Sequence, residues 1–109
     1  MPKDLRYTLY LDMYAPLLTD KQREALDLYY NEDLSLGEIS EVVGITRQGV
    51  MNCIKTSEAR LSELEEEMGL VGRFKQLKNK VEALEKKLKA KTDNDSEIYD
   101  CINEIKALL

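Results

Sequence analysis

The sequence contains no histidine, and only two cysteines, two prolines and five glycines in 109 residues. Each scarcity removes a class of function. Without histidine there are no imidazole metal ligands and no histidine-based triads. Cys53 and Cys101 lack zinc-site spacing and make no disulfide framework, so each reads as a small half-buried thiol. No apolar run approaches the roughly 18 residues that span a bilayer. The opening residues Met1-Pro2-Lys3-Asp4-Leu5-Arg6-Tyr7 hold no apolar stretch of secretion-signal type. Gly37, Gly44 and Gly49 do not form a GxxxxGK phosphate loop. These exclusions predict a cytoplasmic, non-enzymatic protein with no catalytic residue, no metal, no cofactor and no membrane partner.

What is present is helical pattern and unevenly placed charge. The net charge is -5, with 43% hydrophobic and 34% charged residues. Residues 1–67 hold 7 basic and 14 acidic groups, residues 68–92 hold 8 and 2, and residues 93–109 hold 1 and 5. No segment alternates as a strand does, so the expected fold is all-α. Leu5, Leu9, Met13 and Leu17 recur every four residues and predict an amphipathic first helix ending near Ala15-Pro16. Thr19-Asp20-Lys21-Gln22 reads as a capping box opening a helix to about Tyr30, with Ala25, Leu26, Leu28 and Tyr29 inward. Tyr7, Tyr10, Tyr14, Tyr29 and Tyr30 fit packing within these helices better than base stacking.

The most informative stretch runs from Leu34 to Lys55. Ser35-Leu36-Gly37-Glu38 is a second capping box, opening a short helix to about Val43. Gly44 is a natural C-cap, because glycine alone reaches positive φ without strain. Ile45 is expected to plug the corner, and Thr46 to cap a longer helix to about Met68, with Gly69 and Gly72 punctuating its end. Ile39, Val43, Val50 and Ile54 are placed to face inward, Cys53 stands at the margin, and Ser40 is small where the helices cross. Together they make a helix-turn-helix.

The second helix of such a unit offers its first turns to the DNA major groove. The outward positions are Thr46, Arg47, Gln48, Met51, Asn52 and Lys55. Arg47 suits guanine N7/O6, Gln48 or Asn52 suits adenine N6/N7, and Lys55 suits a phosphate. Ser35 and the amides beside it offer a second phosphate contact. Residues 19–60, however, hold 5 basic and 8 acidic groups. Phosphate neutralisation supplies most non-specific DNA affinity, so this unit gains little from it. Gly49 either admits close approach of a partner or is tolerated inside the helix.

The elements Leu17-Leu18-Thr19-Asp20-Lys21-Gln22-Arg23, Leu28-Tyr29-Tyr30, Asp33-Leu34-Ser35-Leu36-Gly37-Glu38-Ile39-Ser40, Gly44-Ile45-Thr46-Arg47-Gln48-Gly49-Val50 and Ile54-Lys55 resemble the YlxM family of small bacterial proteins. Their helix-turn-helix is similar to the promoter-reading fourth region of sigma factors. The resemblance covers roughly residues 5–75. It implies a cytoplasmic DNA-binding regulator linked to the signal recognition particle operon, with Arg47 and Gln48 as the contact pair and Lys55 as a supporting charge. The alternative it implies is a protein- or RNA-interaction module of the targeting machinery, with signal recognition particle components as partners. Three positions depart from the family pattern: Gly49 replaces alanine, Met51 an aromatic residue, and Thr56 a second basic residue.

The expected organisation is a helix-turn-helix domain over 1–68 and a helical arm over 69–109, with a basic helix 70–91 and an acidic helix 96–109. Leu70, Phe74, Leu77, Val81, Leu84 and Leu88 form a heptad seam. Ile98, Ile102, Ile105 and Leu109 form a second seam, and Thr92-Asp93-Asn94-Asp95-Ser96 the turn between. A folded-back hairpin, a homodimer through the seam, and a basic helix held by its acidic tail until it meets RNA or an acidic partner all fit the pattern. Glu63, Glu65, Glu66 and Glu67 read as a solvated face.

Overall fold

The computed structural model describes residues 3–90 and 95–108, with side-chain environments for 3–90 and 96–108. Regular structure among them is entirely helical: α1 (Arg6–Tyr14), α2 (Asp20–Leu26), α3 (Leu36–Val43), α4 (Arg47–Met68), α5 (Leu70–Lys89) and α6 (Asp95–Leu108). The chain is therefore all-α. It divides into two compact units, Met1–Gly69 and Leu70–Leu109.

The first unit is organised by α4, whose 22 residues give a rod about 33 Å long. Helices α1, α2 and α3 all pack on it. Val50, Ile54, Ser57, Leu61 and Leu64 run along its buried face at three- and four-residue steps. Leu11, Tyr14, Leu18, Ala25, Leu26, Tyr29 and Ile39 complete the core. Ser57 is fully buried too, and its hydroxyl donates to the Cys53 carbonyl at 2.6 Å. That bond removes the penalty of an unsatisfied buried hydroxyl.

The packed face of α1 is not the leucine row. Leu5, Leu9 and Leu17 are exposed (Leu5 at 77%), whereas Leu11 and Tyr14 are buried. Tyrosine decides the rotation. Tyr14 buries its ring and donates its hydroxyl to Glu65 Oε1 at 2.5 Å, so its polar tip is satisfied inside. Tyr7 meets Tyr10 edge-on at 5.9 Å between ring centroids, and Tyr29 meets Tyr30 edge-on at 5.1 Å. The tyrosines thus pack, as their spacing suggests. Glu65 departs from the solvated-face reading of its run, because it is the acceptor for Tyr14.

Helix α1 passes into a 3-10 turn over Ala15–Leu17, where Pro16 takes an early position needing no amide donor. Thr19 and Gln22 form the capping box of α2, with backbone–side-chain bonds of 3.2 and 3.1 Å. Helix α2 then widens into a π turn over Asp27–Asn31. One extra residue per turn is often tied to a local packing demand. Here the turn carries Tyr29 into the core and sets the Tyr30 hydroxyl 2.9 Å from Glu58 Oε1.

Burial, helped by the Glu58 contact, pushes the Tyr30 phenol well above its ordinary value of 10.0. The folded state therefore holds this proton more tightly than the unfolded chain. Its contribution is complete below about pH 10 and falls as pH rises beyond it. Urea midpoints taken from about pH 9 to about pH 11 are expected to drop more steeply in the parent than in Tyr30→Phe. Equal slopes would exclude this coupling.

The second unit is a helical hairpin of α5 against α6. Lys80 Nζ pairs with Glu104 Oε2 at 2.9 Å, and Lys87 Nζ lies 3.1 Å from Cys101 Sγ. Among the described side chains of α6 the buried one is Cys101, with Ile98, Ile102 and Ile105 half-buried beside it. The isoleucine row alone therefore does not identify the centre of that face. Leu109 and residues 91–94 lie outside the described residues, as does most of the expected 92–96 turn. Gly72 falls inside α5 rather than at the end of α4, and Gly69 alone terminates α4, at φ 63°. The seam on α5 is divided: Leu77 and Leu84 are half-buried, while Phe74, Val81 and Leu88 stay exposed.

Candidate nucleic-acid interface

The turn between α3 and α4 is built as the sequence suggests. Ser35 caps α3: its side chain accepts from the Glu38 amide at 3.1 Å, and its own amide donates to Glu38 Oε1 at 3.1 Å. Gly44 ends α3 in the left-handed region at φ 75°. The Ser40 hydroxyl donates to the Ile45 carbonyl and ties the turn shut. Thr46 caps α4 by accepting from the Gly49 amide at 3.0 Å. Two helices, each started by a side-chain cap and joined through one left-handed glycine, therefore sit in fixed register.

Ile45 does not plug the corner. It is 47% exposed. A cleft of about 350 Å³ remains between α2, α3 and α4, lined by Ala25, Ile39, Val43, Ile45, Val50 and Cys53, with Lys21 and Glu24. The inward role at this corner falls to Ile39, Val50 and Ile54, each 1% exposed or less.

The candidate residues fall into two groups. Arg47, Gln48, Asn52 and Lys55 are exposed on the first turns of α4, and Met51 is half-exposed among them. Gln48 Nε2 donates to Asn52 Oδ1 at 3.1 Å, so these two amides form one pre-arranged polar pair. Thr46 and Ser35 are exposed, but their side chains accept the capping bonds described above. Only their remaining hydroxyl capacity faces a ligand. Glu38 also puts a carboxylate at the α3 start, which favours that helix end electrostatically but opposes a phosphate there.

Gly37 has a role that its place in the sequence does not announce. A Cβ built there would stand 2.9 Å from Arg47 Nη2 and 3.0 Å from its Nε. The Arg47 guanidinium thus lies across the bare backbone of α3. Sequence holds a weak signal for this: a glycine inside a short helix is costly and wants a reason. Gly37→Ala is expected to leave the melting temperature unchanged or slightly raised, because alanine is the better helix former. It is also expected to displace Arg47, read as a shift of its Nε–H resonance. An unmoved resonance would overturn this packing.

Gly49 has a local explanation too. A Cβ there would meet Thr46 Oγ1 at 3.2 Å and Ile45 Cδ1 at 3.5 Å. Its missing side chain leaves room for the cap of its own helix.

Chemically, the site can donate and accept hydrogen bonds and offer positive charge. No group of three His, Cys, Asp or Glu side chains that could hold a metal occurs among the described residues. No helix among them is long and apolar enough to cross a membrane.

Comparison with known proteins agrees with this geometry. The UPF0122 family, described as "Putative helix-turn-helix protein, YlxM / p13 like", matches residues 1–105. A UPF0122 protein of Thermoanaerobacter sp. (strain X514) is 45% identical over 100 residues, covering 90% of this chain and 86% of its own length. One from Oceanobacillus iheyensis is 42% identical over 108 residues, covering 99% of this chain and 98% of its own. A third, from Geobacillus sp. (strain WCH70), is 36% identical over the same span and coverage. A model match along nearly the whole chain, with relatives aligned end to end and a built helix-turn-helix, places this protein in the UPF0122 family of YlxM/p13-like proteins.

Proposed function

We propose that the protein is a cytoplasmic DNA-binding regulator that reads duplex DNA with the first turns of α4. The observation that carries this reading is the exposed row Arg47, Gln48, Asn52 and Lys55 on a helix held at both caps. In the major groove Arg47 forks onto guanine O6/N7, and the Gln48–Asn52 pair serves adenine N6/N7. Met51 offers apolar contact to a thymine methyl, and Lys55 neutralises a phosphate. Thr46 and Ser35 contribute hydroxyls at the two helix starts. Since residues 19–60 are net acidic, affinity rests on base contacts and on two copies binding together.

A second reading has its own support. Arg73, Lys75, Lys78 and Lys86 on α5 are exposed and make no ion pair with another described residue. Taken with the signal recognition particle link that the sequence resemblance implies, they favour an RNA- or protein-interaction module of that machinery.

Fluorescence anisotropy of a labelled pool of genomic duplexes, at low and at physiological salt, separates the two. Binding that survives physiological salt and is lost in Arg47→Ala supports the DNA reader. Binding that vanishes with salt and ignores the substitution overturns it and leaves the second reading.

A further inference from the structure

The divided seam of α5 points to a partner. Within the hairpin, α6 takes the side of α5 bearing Leu77, Lys80, Leu84 and Lys87. The other half of the seam, Phe74, Val81 and Leu88, is left 60%, 46% and 55% exposed. Three large apolar side chains at intervals of seven residues make one continuous stripe on a helix. Scattered exposed leucines need no explanation, but a periodic stripe beside a packed seam does.

The stripe has a symmetry that selects its occupant. Phe74 and Leu88 lie equally far on either side of Val81. Lys78 precedes Val81 by three residues and Glu85 follows it by four, both on the same flank of the stripe. An antiparallel second copy of α5, related by a two-fold axis near Val81, therefore sets Phe74 of each chain on Leu88 of the other. Val81 meets its own counterpart, and Lys78 of each chain faces Glu85 of the other. A two-fold interface requires this kind of self-complementary surface. Lys78 is free to take the pairing, since it makes no ion pair with another described residue. Among the described residues Glu85 pairs with the exposed Lys89, at 3.1 Å. On α6, Tyr99 is 65% exposed, and helical periodicity puts it on the same side of the hairpin, where it widens the apolar face.

We propose that the protein self-associates through α5, antiparallel and centred on Val81, so that two hairpins form a four-helix bundle. This goes beyond the DNA reading and does not depend on it. In an antiparallel helix pair the flanking charges set orientation, so Lys78 and Glu85 report the register directly.

Sedimentation equilibrium of the full chain without nucleic acid provides the test. The parent is expected to be a dimer, and Val81→Asp a monomer with unchanged helical circular dichroism. Lys78→Glu and Glu85→Lys are each expected to weaken the dimer by roughly tenfold. The double exchange K78E/E85K is expected to restore it. Both charge variants alter exposed side chains, so they report even where Val81→Asp disturbs the helix. A monomeric parent, a dimer indifferent to all these changes, or a charge exchange that does not rescue would each overturn the proposal.

Discussion

Ile54→Ala is expected to destabilise the helix-turn-helix unit by about 2–5 kcal/mol. Ile54 has no exposed surface and sits on the α4 face that receives both α2 and α3. Truncation removes three carbons from a closely packed centre, and the rigid helices on either side cannot collapse into the space. Small domains hold only about 5–15 kcal/mol in total, so the loss is a large fraction. In a unit of this size it corresponds to a fall in melting temperature of roughly 10 °C or more. Circular dichroism melts measure it, with Val42→Ala as the control, since Val42 is 59% exposed. Similar shifts for both variants would mean that Ile54 is not the centre of this core.

Arg47→Ala is expected to act oppositely, with little effect on folding and a large one on recognition. The side chain is exposed and lies over Gly37, so its removal opens no cavity. If it forks onto guanine, the loss is about 1–3 kcal/mol on the preferred duplex, or roughly 5- to 150-fold in affinity. Affinity for unrelated duplexes should fall far less, because they lack the matched base. Gln48→Ala should behave likewise, with a further consequence: it also frees Asn52 Oδ1 from the 3.1 Å bond that now orients it. Gln48→Ala combined with Asn52→Ala should therefore fall short of the sum of the two single losses. Anisotropy with a selected duplex and its scrambled version measures both effects. Equal losses on the two duplexes would make Arg47 a phosphate contact and remove its reading role.

Several features are legible in local chemistry alone. The capping boxes at Thr19 and Ser35, the Thr46 cap and the Gly44 turn each rest on neighbours within four residues, and each is present in the structure. The inward set Ile39, Val50 and Ile54 is equally plain, because helix period and burial agree there. The exposed row on α4 follows from the same period. Its chemistry can be read from the residue types, but the Gln48–Asn52 pairing and the bed of Gly37 beneath Arg47 cannot.

Sequence pattern misleads where two faces of one helix compete. On α1 the leucine row and the tyrosine row are both amphipathic, and hydropathy alone favours leucine. Tertiary structure chose tyrosine, since Glu65 on α4 satisfies the Tyr14 hydroxyl and a buried ring with a satisfied tip packs well. On α5 one seam serves two demands, and α6 can cover only half of it. The sequence by itself determined helical class, the capped helix starts, the left-handed Gly44 turn and the residues on the outer face of α4. All of these follow from backbone and side-chain preferences spanning one or two turns. Which amphipathic face turned inward, the π turn that delivers Tyr29, and the stripe left bare on α5 were decided by contacts between segments distant in the chain. No local preference encodes those contacts, because their energy exists only once both surfaces have met.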